Sequence, residues 1–85
     1  MNMEHYVLSS HARERMRERG ISEEDVRMAI RRPTTTAKHA PNRVLIKTIY
    51  TRRGKQRLLL IAGEYIKETL RIITVIDTSK VNKYL

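Results

Sequence analysis

His11, Arg13, Arg15, Arg17 and Arg19 stand close together in the segment SSHARERMRERGISEEDV, residues 9–26. An imidazole ordinarily titrates near neutral pH and can act as base or acid. A guanidinium offers a planar fork of donors that fits two phosphate oxygens. Such groups suit metal-free cleavage of RNA, in which the 2'-hydroxyl attacks the adjacent phosphate, protons must be moved, and the phosphorane must be neutralised. The same spacing also suits a solvated helix. Arg13, Glu14, Arg17 and Glu18 fall at the three- and four-residue separations of weak surface ion pairs.

The elements that must carry these groups can be read from their punctuation. Ser9 or Ser10 caps a helix running to about Arg19, which Gly20 ends, with Leu8, Ala12 and Met16 as its apolar stripe. His11 and Arg15 lie at the border of that stripe and Arg19 follows a turn later. Ser22 and Asp25 form a capping box for a second helix, which buries Val26, Ala29 and Ile30 and stops before Pro33. The spacing predicts a helical hairpin over 9–32, a loop over 33–42 (PTTTAKHAPN), an antiparallel meander over 43–77 and a tail over 78–85. Strands are expected at 43–52, 57–63 and 70–77, separated by RRGKQ and EYIKE, with a fourth available from the loop. The expected fold is α+β: two N-terminal helices packed on a small three- to four-stranded antiparallel sheet, in one domain over 1–85.

The totals limit the partners. With 18 Lys and Arg against 9 acids the chain carries +9 at neutral pH, which points to a polyanion. Residues 1–32 hold seven arginines against six acids, so nearly all the excess lies in 33–85. There Lys38, Arg52, Arg53, Lys55 and Arg57, with Arg19 from the first helix, read as nucleic-acid-binding contacts to phosphate, or equally as a solubilising hairpin tip. Four tyrosines are the aromatic complement, thin support for base stacking, and Tyr50 and Tyr65 read as packing. There is no cysteine, and no apolar run longer than 58–63, so a soluble cytoplasmic protein is expected. The pattern calls for no cofactor and no metal. Glu23, Glu24 and Asp25 serve a helix start, Glu64, Glu68 and Asp77 are scattered, and His5 and His39 lack ligand spacing.

In the last two strands apolar residues occupy both faces: Leu58 and Leu60 with Leu59 and Ile61, then Leu70, Ile72 and Ile76 with Ile73 and Val75. A sheet covered on one side alternates more cleanly. A homodimer partner, a cognate protein such as an antitoxin, or the C-terminal segment would cover the second face.

The first segment, with LRIITVIDTSKVNKYL at the end, resembles a small prokaryotic family, domain of unknown function 4258. Its signature is Ser-x-His-Ala-x-x-Arg-Met-x-x-Arg-x-Ile; Ser9, His11, Ala12, Arg15, Met16 and Arg19 match it, and Ile21 follows Gly20. That family is similar to RelE-like and barnase-like ribonuclease toxins. The resemblance implies a RelE-like arrangement in which His11 and Arg15 face the sheet. A basic residue of the first strand, Arg43 or Lys47, would join them, and Thr74 would lend a hydroxyl from the last. On this expectation His11, Arg15, Arg43, Lys47 and Thr74 form the catalytic set of a metal-independent endoribonuclease, of the kind that serves as the toxin of a toxin-antitoxin pair. Tyr84 and Lys47 are candidates for a second proton-transfer group. The rival readings are a non-catalytic RNA-binding domain and a protein-interaction module working through the second apolar face.

Overall fold

The structure, a computed structural model, describes residues 5–85. Its elements are β1 (Tyr6–Leu8), α1 (Ser10–Arg19), α2 (Glu23–Arg31), β2 (Thr35–Ala40), β3 (Arg43–Arg52), β4 (Lys55–Ile66), β5 (Thr69–Thr78) and a single helical turn, α3 (Val81–Tyr84). The strands form one sheet in the order β1-β5-β4-β3-β2.

This corrects the expected fold class. The sheet has five strands rather than three or four, and it is mixed rather than antiparallel, because β1 pairs in parallel with β5 through Tyr6 and Leu70, Val7 and Arg71, Leu8 and Ile72. A parallel partner requires a long connection. Here β1 and β2 occupy opposite edges, and the two helices cross one face between them. The segment expected as a loop, with a fourth strand available from it, holds β2, whose residues pair antiparallel with β3 from Thr35 opposite Lys47 to Ala40 opposite Arg43.

Local chemistry fixes the helix ends. The Ser9 side chain accepts a bond from the Ala12 amide and donates to the Ile73 carbonyl, and its own amide donates to Ile72, so the start of α1 is tied to β5. At the other end Gly20 adopts a left-handed conformation (φ 66°). The Ile21 amide reaches Met16 O and that of Gly20 reaches Arg17 O, the double closure that satisfies terminal carbonyls. Ser22 caps α2 by accepting from the Asp25 amide, and Pro33 excludes Arg32 from helical geometry.

The core lies between this helical pair and one sheet face. Ala12, Met16, Ile21, Val26, Ala29 and Ile30 meet Val44, Ile46, Leu59, Ile61, Leu70, Ile72 and Val75. The buried Thr48 hydroxyl on that face donates to the Ala29 carbonyl. A register shift at Ala62 and Gly63 leaves Ile73 as an extra residue in β5, and its carbonyl is the one Ser9 satisfies. Gly63 is dictated by that close approach, since a Cβ there would stand 2.8 Å from Leu70 Cδ1.

Candidate nucleic-acid interface

The β3-β4 hairpin closes on Arg53 and Gly54, both at positive φ (54° and 76°), a two-residue turn whose twist matches its strands. Arg52 then stands opposite Lys55 and Tyr50 opposite Arg57. Strand alternation places these four side chains on the helix-bearing face, two and four residues beyond core Thr48 and likewise before core Leu59. Asp77, paired with Leu59 on β5, is the diagonal neighbour of Arg57. The C-terminal end of α1 overhangs the same place and brings Arg19.

The result is an open cleft of about 530 Å³ lined by Arg19, Arg52, Arg53, Lys55, Arg57 and Asp77. The Asp77 carboxylate is almost fully buried, with 6% of its side chain exposed, and is saturated by donors. Arg57 Nε lies 2.9 and 3.0 Å from its two oxygens, Arg52 Nη1 lies 3.1 Å from Oδ2, and the Tyr50 hydroxyl donates to Oδ1 at 2.9 Å. Arg52 is further committed: its Nη2 donates to the carbonyls of Arg19 and Gly20 at 2.9 and 3.0 Å, pinning the hairpin to the end of α1 where carbonyls lack helical partners. Arg19 Nη1 makes a long contact of 3.4 Å to Val75 O. Arg53 and Lys55 are exposed.

Protonation follows from these bonds. Burial by itself would raise the Asp77 carboxyl, but the bonds from Arg57 and Tyr50 with both guanidinium charges outweigh it and hold it below the usual carboxylate range. Burial, then the bond to Asp77 and its charge, push the Tyr50 hydroxyl up to about 12. The bond to Asp77 raises Arg57 still further. Tyr50 therefore keeps its proton and Asp77 its charge at neutral pH.

Five of the six residues read as phosphate contacts thus meet in one cleft, while Lys38 lies exposed on edge strand β2. The set implied by the resemblance does not meet. His11 is exposed in the first turn of α1, and Arg15 is half-buried with its Nη1 2.9 Å from Glu18. Ala12 and Met16 direct the helix onto the sheet, which turns positions 11 and 15 to its flanks rather than toward the strands. Arg43 and Lys47 alternate with core Val44 and Ile46 and so project from the opposite sheet face, as does Thr74 through its pairing with Ala62. Arg43 there pairs with Glu64 at 3.4 Å. Among the described residues no group of three or more His, Asp or Glu side chains is placed to hold a metal, and no helix is long and apolar enough to cross a membrane.

Tyr50 and Asp77 are what sequence reasoning missed. Their signal was alternation: Tyr50 shares a face with Arg52, and Asp77 with core Val75, in a half of the chain with few acids.

A five-stranded mixed sheet with a helical pair on one face and a basic cleft at one end defines a small α+β domain. The chain belongs to the family described as Domain of unknown function (DUF4258), whose model matches residues 8–77. No curated protein and no solved structure matches it.

Proposed function

We propose that this chain binds RNA through its phosphate backbone in the cleft at the β3-β4 hairpin. The observation that carries the reading is the convergence of Arg19, Arg53, Lys55 and Arg57 on a cleft whose carboxylate, Asp77, is already neutralised by two guanidiniums. A phosphate entering there meets Arg57, whose Nε is fixed on Asp77, together with Arg19 and the exposed Arg53 and Lys55 that line the same cleft. Titration of ¹⁵N-labelled protein with a short single-stranded RNA tests this. Shifts should concentrate at Arg53, Gly54, Lys55 and Asp77; shifts confined to the opposite sheet face or to the start of α1 would overturn it.

A second reading, a metal-independent endoribonuclease of the RelE-like toxin type, is favoured by the same cations, which stand where a phosphorane would need charge. Proton transfer is its demanding step. Tyr50 holds its proton to about pH 12, and His11 lies about two turns, roughly 12 Å, along α1 from Arg19. Cleavage of RNA in excess EDTA to cyclic 2',3'-phosphate ends, lost in Arg57→Ala, is the outcome this reading requires; uncleaved RNA that still binds leaves the binding reading in place.

A further inference from the structure

We propose that the sheet face opposite the helices is a docking surface for an acidic segment of another polypeptide that inserts an apolar side chain. This is independent of the RNA cleft. The face carries a hollow of about 320 Å³ lined chiefly by His39, Arg43, Leu45, Ala62, Gly63 and Ile73. The small side chain of Ala62, which projects from this face opposite Leu45, leaves the space, and half-buried Leu45 and Ile73 give it apolar walls. Apolar surface continues along the face through Leu60, paired with Ile76, which is 39% exposed.

The fold covers this face only in part. Helix α3 packs against β4, and Leu58, which lies on this face outside the main core cluster, is fully buried. The hollow lies further along β4, at Ala62 and the backbone of Gly63.

Charge selects the occupant. The rim holds the cations Arg43, Lys47 and Arg71 against Glu64, which both Arg43 and Arg71 share at 3.4 Å. A second copy meeting the first through the same patch would set these cations against themselves, on chains each carrying +9. An acidic segment reverses that sign: its carboxylates reach Arg43, Lys47 and Arg71 while one of its apolar side chains fills the hollow, giving the buried anchor and polar rim of a specific interface.

The probe is a fluorescein-labelled synthetic peptide of alternating Leu and Glu, followed by anisotropy and ¹⁵N shift mapping, with sedimentation of the protein alone. The expected result is a monomer that binds the peptide with shifts at Leu45, Ala62 and Ile73. Affinity should fall at least tenfold in Arg43→Glu and in Ala62→Glu and stay within twofold in Lys55→Glu, each variant first shown to be folded by circular dichroism. Absence of binding overturns the proposal. So does a loss in Lys55→Glu as large as in Arg43→Glu, which would put the peptide in the cleft. A dimer dissociated by Ala62→Glu would assign the face to a second copy and overturn it equally.

Discussion

Asp77 and Arg57 are joined through the guanidinium Nε, which lies 2.9 and 3.0 Å from the two carboxylate oxygens, on neighbouring strands at the mouth of the cleft. The same carboxylate takes Arg52 and the Tyr50 hydroxyl. Asp77→Asn keeps the shape and removes the charge that holds two guanidiniums side by side. Breaking one partner of a buried pair costs about 3–5 kcal/mol, and because both arginines still reach water we expect about 2 kcal/mol here. Urea unfolding of the variant measures it.

Acid and alkali should each report on this cluster. Asp77 is held below its ordinary value, so its contribution to stability is complete above the unfolded carboxyl pKa of about 4 and is lost as pH falls through the folded value. Tyr50 is raised, so its contribution is complete below about pH 10 and is lost as pH climbs from there toward about 12. Unfolding midpoints across pH should show both limbs, the acid one flattened in Asp77→Asn and the alkaline one in Tyr50→Phe. Unchanged limbs would detach the cluster from stability.

Gly20→Ala is expected to destabilise by about 1–2 kcal/mol, the cost of a left-handed conformation for a residue with a Cβ. It should also weaken RNA binding, because the new Cβ would stand 2.8 Å from Arg52 Nη2 and displace the guanidinium that ties the hairpin to α1. Thermal unfolding and anisotropy read the two effects separately; full RNA affinity in a destabilised variant would show that Arg52 does not position the cleft.

The elements were legible where local chemistry defines them. Ser9, Gly20 and Ser22 mark helix ends in any context, and β3 falls on its expected bounds, Arg43–Arg52, because a polar turn follows it. Of the two edge strands, the first was not legible and the second only as a strand the loop could supply, for different reasons. β1 has three residues and gains its identity from β5, and β2, flanked by Pro33 and Pro41 with nearly every residue exposed, carries no apolar alternation. The cleft's cations were legible as a charge excess but not as a place. Their meeting depends on the hairpin register and on Asp77, a long-range partner that spacing does not announce.

Salt dependence should count the contacts. With Arg19, Arg53, Lys55 and Arg57 on phosphates, log affinity against log salt is expected to fall with a slope of about −2 to −3 for single strands, each of Arg53→Ala and Lys55→Ala reducing it by about 0.7. A slope near zero would mean that phosphates are not what the cleft holds.

The most direct measurement compares the affinity of a labelled single-stranded RNA for two double variants, Arg53→Ala/Lys55→Ala in the cleft and His11→Ala/Arg15→Ala on α1. A loss of tenfold or more in the first with less than twofold change in the second is the outcome the cleft predicts. The reverse pattern would move RNA binding to the flank of α1 and contradict the account.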